Sequence, residues 1–247
     1  MKDLDSGTII RERLRRGKDS PVKTYMDMTV GSDSYVALLR YELLTGLLGP
    51  LPGAAGFFLR KLFYPGLFKS VGKGLIIGRN VVLRHTQNMR IGRDVTIDDN
   101  CLIDARGAGE EGLAIDDGVI INRGCTIQAK AGPIHIGKRT SLGANSVIVS
   151  QDGVDIGEAV LTAGNISVST GLYHTERLDV PVMDQGAYTT GPVRIGKFSW
   201  LGSGATVLDG VSLGEGVVIG AGAVVNNDIP DFAVAVGVPC KVIRYRE

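Results

Sequence analysis

The sequence predicts an all-β solenoid, a parallel β-helix preceded by a short helical region. An aliphatic residue recurs every six positions from residue 91 onward, and glycine often follows it. Aromatic residues make up only 6% of the 247 residues, which favours many tight turns over large aromatic cores. A period of six does not match the 3.6-residue period of a helix. Three such units form one coil, and stacked coils form a parallel β-helix.

The repeated positions come in six sets of three, and Thr162 is the only polar residue among the eighteen. The sets are Ile91, Ile97 and Ile103; Ile115, Ile121 and Ile127; Ile136, Leu142 and Ile148; Ile156, Thr162 and Val168; Ile195, Leu201 and Val207; Leu213, Ile219 and Val225. Each is predicted to point into a narrow apolar axis. Small residues at the fifth position, Cys101 and Cys125 among them, are predicted to be buried beside that axis and not to be nucleophiles.

Gly, Asp or Asn commonly follows the repeated residue, and these types tolerate left-handed backbone angles, so they are predicted to form the corners. Extra residues interrupt the rhythm at 104–114, 131–135 and 151–155. The longest interruption separates Val168 from Ile195. A solenoid accepts such insertions at its corners because each coil touches only its neighbours.

Residues 1–74 lack the repeat and are predicted to form a separate flexible and helical region ahead of the solenoid domain, 75–247. Residues 1–18 carry six basic and three acidic residues and are predicted to be flexible. A helix with an Asp or Ser cap is expected within 32–48, and a second helix is expected to end before Pro65.

Two interpretations of these helices remain open. They can cover the open first edge of the solenoid, since the end of a β-helix needs covering. Alternatively they can make a shallow membrane-surface contact, with Arg40, Arg60 and Lys61 near the lipid headgroups.

The overall composition excludes several classes of protein. A net charge of +1 gives no reason to expect nucleic-acid binding. Three cysteines form neither a metal spacing nor an even disulfide framework, so a reducing, cytoplasmic location is expected. The first ten residues are acidic and lack an apolar segment, so no secretory signal is expected. The apolar run 43–59 is short and interrupted by proline, unlike an ordinary spanning helix.

The segment "VRIGKFSWLGSGATVLDGVSLGEGVVIGAGAVV", followed by "VAVGVPCKVIR", resembles the hexapeptide-repeat acyltransferases. It is most similar to the maltose and galactoside O-acetyltransferases and to the polysaccharide acetyltransferases, over roughly residues 75–247. The resemblance implies a left-handed β-helix, a homotrimer, acetyl-coenzyme A as the acyl donor and no metal requirement.

His174 lies six positions after Val168, where the chain leaves the repeat. Acyl transfer to a hydroxyl needs a base, and an unperturbed imidazole titrates near pH ~6.5. The resemblance implies that His174 is this general base, beside a loop that reaches over a neighbouring subunit and helps to wall the site. The alternative is a surface histidine in a mobile loop.

The resemblance also implies a groove between two β-helices for the pantetheine arm of coenzyme A. The chain matches the cofactor-binding positions of the family at Trp200, Gly202, Ser203, Gly220, Ala221, Lys241 and Arg244. The small residues would let the arm approach the backbone, Trp200 would pack on the arm, and the two basic residues would meet phosphates. Glycine at these corners is also needed for the fold alone.

The chain departs from the sugar acetyltransferases at one position near the expected site. These relatives carry Asn where this chain aligns Gly143, and Asn145 follows two residues later. Asn145 is therefore a candidate acceptor contact, and a different acceptor from theirs is expected. His85 is a second candidate contact for the acceptor substrate. The alternative is that His85 is a surface residue without such a contact.

The remaining histidine, His135, is predicted to be a structural residue at a corner. The three histidines are separated by 50 and 39 residues, which does not fit the zinc site of the β-helical carbonic anhydrases. No metal site is therefore predicted.

The function predicted from sequence is transfer of acetyl from acetyl-coenzyme A to a hydroxyl of a saccharide or saccharide precursor. N-acylation of an amino sugar is the alternative within enzymes. A non-catalytic β-helix scaffold is the alternative from another class.

Overall fold

A computed structural model of the chain describes residues 1–4 and 20–247. As predicted, its main body is a parallel β-helix, with seven coils that each contribute one strand to three sheets.

Each sheet stacks strands in chain order along the solenoid. Sheet 1 contains β2 Ser70–Val71, β5 Met89–Ile91, β8 Leu113–Ile115, β11 Ile134–Ile136, β14 Val154–Ile156, β19 Val193–Ile195 and β22 Ser212–Leu213. Sheet 2 contains β3 Ile76–Ile77, β6 Thr96–Ile97, β9 Ile120–Ile121, β12 Ser141–Leu142, β15 Leu161–Thr162, β20 Trp200–Leu201 and β23 Val218–Ile219, extended by β25 Ala233–Val236 and β26 Lys241–Tyr245. Sheet 3 contains β4 Val82–Arg84, β7 Leu102–Asp104, β10 Thr126–Ala129, β13 Val147–Ser150, β16 Ser167–Ser169, β21 Thr206–Val207 and β24 Val224–Val225.

The hexapeptide residues stack in register and form the core. Ile115, for example, pairs with Ile91 on one side and with Ile136 on the other. None of the eighteen repeated residues is more than 4% exposed. The one polar member, Thr162, accepts a hydrogen bond from the Gly143 N–H at 2.9 Å, so its hydroxyl is satisfied inside the apolar axis. Cys101 and Cys125 are buried free thiols, as predicted.

One residue per coil has a positive φ at the edge between sheets 2 and 3: Asn80, Asn100, Gly124, Asn145, Asn165, Gly204 and Gly222. Asn and Gly do form the corners, but these residues lie three positions after the repeated residue and not directly after it as predicted. The backbones also approach closely at this edge. A Cβ on Gly143 would lie 2.3 Å from the Ala163 carbonyl carbon, so a larger residue would separate the coils.

The insertions all lie at a different edge, between sheet 3 and sheet 1. The chain passes through 105–112, 130–133, 151–153 and 170–192 between a strand of sheet 3 and the next strand of sheet 1. The sequence predicted that insertions lie at corners. The structure adds that they are stacked along one edge, which gives that edge its own irregular surface.

The helices before the solenoid are α1 Pro21–Tyr25, α2 Tyr35–Glu42 and α3 Gly53–Phe63, and both helices expected from the sequence are present. Ser34 caps α2 by accepting a hydrogen bond from the Ala37 N–H. π-helical segments, Met26–Val30 and Leu43–Leu48, continue α1 and α2. 3-10 turns follow at Tyr64–Leu67, Thr86–Asn88 and Val182–Asp184.

The helical region packs on the first coil. The Tyr41 hydroxyl donates to the Leu83 carbonyl at 2.6 Å, and Tyr64 and Phe68 join the solenoid core. Arg60 is only 4% exposed and donates to the carbonyls of Ile77, Leu48 and Leu51. The expectation that Arg60 lies near lipid headgroups is therefore wrong, because its guanidinium ties the helices to the solenoid.

None of the helices in the described part of the chain has the length and apolarity needed to span a bilayer. The prediction of flexibility for residues 1–18 falls mostly outside the described residues. The exception is β1, Lys2–Leu4, which is an ordered strand.

Candidate active site

His174 lies in a small sheet that replaces the repeat at its longest interruption. The chain leaves sheet 3 and forms an antiparallel hairpin from β17, Leu172–Tyr173, and β18, Ala187–Thr189. The N–H of His174 donates to the Gly186 carbonyl at 3.1 Å and so extends the pairing. β1 adds to the other side of β18. The sequence predicted the interruption, but not that it contains a three-stranded sheet.

The imidazole of His174 is partly buried, with 24% of the side chain exposed. Its Nε2 lies 3.1 Å from Asp3 Oδ1, and its Nδ1 lies 3.5 Å from Glu176 Oε2. The Tyr188 ring packs against it with centroids 4.7 Å apart. A histidine held by a carboxylate and by an aromatic face has a defined ring orientation, which proton transfer to or from a substrate requires.

Asp209 fixes both ends of the hairpin. Its Oδ1 accepts hydrogen bonds from the Gly171 N–H at 2.6 Å and the Thr189 hydroxyl at 2.9 Å. Its Oδ2 accepts from the N–H and the hydroxyl of Thr190, at 2.6 and 2.7 Å. Burial raises the pKa of Asp209, but these bonds outweigh burial and hold it below its ordinary value of 3.8.

Replacing Asp209 with Ala is expected to loosen the hairpin and to lower the free energy of unfolding by about 2–3 kcal/mol at pH 7. Because the folded-state pKa is lowered, the ionised carboxylate stabilises the fold above pH 3.8, and this stabilisation is lost as the pH falls through the lowered pKa. Denaturant unfolding of both proteins at pH 7 and at pH 3 measures the difference. Amide exchange should accelerate within 171–190.

Asp228→Ala is the matched control, since Asp228 caps the next coil with one bond, from the Ser212 N–H at 2.8 Å. Asp228→Ala should lower the free energy of unfolding by about 1 kcal/mol or less. Equal losses in the two variants would contradict a special role for Asp209.

The expected cofactor-binding residues lie together along the last coils. Gly202 and Ser203 stack on Gly220 and Ala221 at the edge between sheets 2 and 3, where a Cβ on Gly202 would lie 2.6 Å from the Ala221 nitrogen. The Ser203 hydroxyl donates to the Gly164 carbonyl at 3.0 Å. The structure therefore brings these four residues into one strip, in which Ser203 and Ala221 are exposed and Gly202 is buried.

Trp200, Lys241 and Arg244 flank this strip. Trp200 opens β20 and projects from the outer face of sheet 2 with 48% of its surface exposed. Lys241 and Arg244 are exposed on β26. Lys241 pairs with Val236, whose side chain covers Gly220, so Lys241 lies at the end of the strip.

His174 and the strip lie on different edges of the solenoid. His174 follows sheet 3 at its edge with sheet 1, whereas the strip lies where sheet 3 meets sheet 2. The whole width of sheet 3 separates them within one chain.

The structure does not bring His85 to this site. His85 is 7% exposed, and its Nε2 lies 2.8 Å from the Asp27 carbonyl. Burial lowers its pKa below the ordinary 6.5. The strand before it, β4, lies four strand spacings from β16, or about 19 Å. The helical region covers this residue, so the structure supports neither the candidate substrate contact nor the alternative of a surface location.

Asn145 is exposed at the edge between sheets 2 and 3, two strand spacings, or about 10 Å, before Gly202. It therefore shares an edge with the strip and not with His174. Its positive φ of 58° shows that it has a corner role in the fold.

His135 lies in the middle of β11 and points outward, not at a corner as expected. Its Nδ1 is 2.7 Å from Asp155 Oδ1, and its Nε2 is 3.2 Å from Asp116 Oδ2. Hydrogen bonding to Asp155, and then to Asp116, raises its pKa. Residues 1–4 and 20–247 contain no group of three or more His, Cys, Asp and Glu side chains that could hold a metal ion.

Sequence reasoning missed Asp3, Glu176, Tyr188 and Asp209. A carboxylate two positions after a candidate base is a weak local signal that could have indicated Glu176. Asp3 and Asp209 come from distant parts of the chain, and no spacing in the sequence connects either of them to His174.

Comparison with known families agrees with the repeat in the structure. Residues 192–227 match the family model described as bacterial transferase hexapeptide (six repeats), and residues 94–129 and 133–170 match the hexapeptide repeat of succinyl-transferase. These three stretches resemble the hexapeptide-repeat transferases. The predicted resemblance is confirmed.

Two relatives of this hexapeptide-repeat protein match about half of it. Galactoside O-acetyltransferase of Escherichia coli K12 is 41% identical over 114 residues, covering 45% of this chain and 53% of that protein. A Mycobacterium tuberculosis protein named "probable acetyltransferase" is 37% identical over 122 residues, covering 49% of this chain and 40% of that protein. The chain therefore spans about half the length of the curated relatives it matches.

A solved structure supports the fold. A variant of the Bacillus cereus N-acyltransferase AntD, in complex with dTDP and coenzyme A, is 22% identical, with a TM-score of 0.53 over 73% of this chain and 85% of that chain. At this identity the likeness concerns the fold alone.

Proposed function

We propose that this chain is an acyltransferase that moves acetyl from acetyl-coenzyme A to a hydroxyl of a saccharide or saccharide precursor. The observation that carries the proposal is His174, which is held in a defined orientation by a hairpin built where the repeat stops. The 41% identity to a galactoside O-acetyltransferase supports transfer to oxygen.

In the proposed reaction, His174 accepts the proton of the acceptor hydroxyl as the hydroxyl oxygen bonds to the thioester carbonyl carbon. The tetrahedral intermediate then collapses, the carbon–sulfur bond breaks, and the thiolate of coenzyme A takes the proton from His174. The products are an acetyl ester and the free thiol. The base contributes by removing the proton as the new bond forms.

The strip of Gly202, Ser203, Gly220 and Ala221 fits the extended arm of coenzyme A. The N–H groups of Gly202 and Gly220 are already bonded to carbonyls of the solenoid, so an arm laid along the edge would contact the exposed Ser203 and Ala221. Trp200 would pack on the arm, and the exposed Lys241 and Arg244 would meet the phosphates.

The proposal includes a homotrimer, because His174 and the strip can meet only across two chains. The outer face of sheet 2 presents Ile120, Leu161 and Trp200, each 44–53% exposed. The outer face of sheet 1 instead carries polar and charged residues such as His135 and Arg194. Burying the apolar face against a second copy is favourable, and three copies close a symmetric ring with three equivalent clefts.

Leu161→Arg is expected to break this assembly, because it places a charge in the middle of the apolar face. Light scattering should show trimers for the wild type and smaller species for the variant, together with loss of acyl transfer. Ser212→Arg, on the polar face of sheet 1, is the control and should remain trimeric. A wild-type monomer with full activity would contradict the assembly and the shared site.

Thiol release tests the proposed function directly. The protein is incubated with acetyl-coenzyme A and a panel of methyl glycosides of glucose, galactose and mannose, with glucosamine as the amino acceptor. The proposal expects thiol release with a glycoside and an O-acetyl product by mass spectrometry. An amide product would establish N-acylation instead. Tight binding of coenzyme A without acyl transfer, or no binding at all, would contradict the acyltransferase function and favour a non-catalytic scaffold.

Contact with a membrane surface is a further part of the proposed setting. α2 and the segment after it expose Val36, Leu39, Leu43 and Leu47 along one side, each 49–77% exposed. Exposed apolar side chains at this spacing are typical of a helix that lies on a surface. Arg60 has no part in this contact, because it is buried.

A further inference from the structure

We infer that Asp3 is the positioning residue for His174, so that the N-terminal strand forms part of the site. This inference rests on the proposed function, since the orientation of the ring affects the rate only if His174 transfers a proton. The contact joins residues 171 positions apart, at 3.1 Å between Asp3 Oδ1 and His174 Nε2.

The strand that carries Asp3 is held on both sides of that residue. Lys2, Asp3 and Leu4 pair with Thr189, Tyr188 and Ala187 in antiparallel register. Lys2 Nζ also lies 2.7 Å from Asp152 Oδ1, in an insertion at the edge between sheets 3 and 1. The ion pair and the backbone pairing fix the strand along its length. The position of the Asp3 carboxylate therefore depends on these contacts as well as on its contact with His174.

The register decides which way Asp3 points. Directly opposed residues of an antiparallel pair project from the same face, so Asp3 and Tyr188 share a face. The ring of Tyr188 packs on His174 on that face. A slip of one residue would turn Asp3 away from the imidazole. The pairing therefore places a carboxylate at the edge of the ring and an aromatic ring against its face.

Asp3 is a better partner for His174 than Glu176. The 3.5 Å separation between Glu176 Oε2 and Nδ1 exceeds the usual hydrogen-bond length, and the same oxygen accepts from the Thr175 N–H at 3.0 Å. An ionised carboxylate only accepts hydrogen bonds, so contact with Asp3 requires the proton of neutral His174 on Nε2. The lone pair then lies on Nδ1, which is the nitrogen able to accept the proton of a hydroxyl.

The test uses the full chain with any affinity tag at its C terminus. In ¹⁵N-histidine spectra, wild type should show the Nε2–H tautomer for His174, with its signals assigned by their loss in His174→Gln. Asp3→Asn should shift the population toward the other tautomer. Asp3→Glu should retain much of the wild-type population, because it keeps a carboxylate on the same strand.

Kinetics provide the second readout, with acetyl-coenzyme A and the methyl glycoside that releases most thiol, or water if none does. Asp3→Asn should lower kcat about tenfold and leave the KM for acetyl-coenzyme A unchanged. Asp3→Glu should keep most of the wild-type kcat. Glu176→Gln should lower kcat by less than Asp3→Asn does. Asp33→Asn, an exposed carboxylate in the helical region, is the control and should match wild type.

The outcomes separate this inference from the function on which it rests. If His174→Ala keeps the wild-type rate, the proposed function fails. If His174→Ala is inactive but Asp3→Asn keeps kcat within about twofold and leaves the tautomer unchanged, only the role of Asp3 is overturned. A larger loss of kcat in Glu176→Gln than in Asp3→Asn would assign the positioning role to Glu176. That result would also overturn the role of Asp3.

Discussion

His174→Ala is expected to lower kcat by about 10²–10⁴-fold, which corresponds to roughly 3–5 kcal/mol of lost transition-state stabilisation. The substitution removes the proposed base and leaves the strip at Gly202 and Gly220 untouched, because sheet 3 separates the two. The Kd for acetyl-coenzyme A should therefore change by less than about tenfold. Initial rates and a coenzyme A titration on the same samples measure both quantities.

His135→Ala is the matched control for this experiment. His135 also has a carboxylate at each ring nitrogen, but it lies on the outer face of sheet 1 and not in the hairpin. It should retain most of the activity. A His174→Ala enzyme within about threefold of wild type would show that another group transfers the proton.

Ile148→Ala should lower the free energy of unfolding by about 2–5 kcal/mol. Ile148 is fully buried in β13, between Ile127 and Val168 of the neighbouring coils. Truncation leaves a cavity in the apolar axis, and the in-register strands on either side cannot move closer without breaking their ladders. Chemical denaturation, with the transition followed by circular dichroism, measures the loss.

Val147 provides a control within the same strand. Its side chain points out from sheet 3 and is 38% exposed, so Val147→Ala should cost about 1 kcal/mol or less. Similar losses of unfolding free energy in the two variants would contradict the structure, in which Ile148 points inward and Val147 points outward.

Most of the solenoid could be predicted from the sequence, because its determinants are local and repeated. Residues such as Ile115, Ile121 and Ile127 recur at a fixed spacing, and each pairs with its equivalent in the next coil. Corner residues follow them in the chain. A pattern that every coil repeats can be recognised in the sequence without knowledge of distant contacts. The place where the pattern stops, before His174, can be recognised in the same way.

The predictions that were wrong concern residues whose surroundings come from outside the repeat. His85 was a candidate substrate contact, with a surface location as the alternative, but the helical region covers it. The membrane interpretation placed Arg60 near headgroups, but Arg60 is buried against β3. Both depend on how the helices pack on the first coil. The periodicity of the solenoid contains no information about that packing.

The sequence by itself therefore determined the coils, the corners, the interruption and the candidate base. Only the tertiary structure decided that the insertions share one edge, that Asp209 closes the hairpin and that Asp3 contacts His174. It also decided that His174 and the strip at Gly202 lie on different edges of one chain. The physical reason is the range of the contacts. A hexapeptide acts on the coil beside it, whereas the pairing of β1 with β18 joins distant segments through a backbone register that leaves no periodic trace in the sequence.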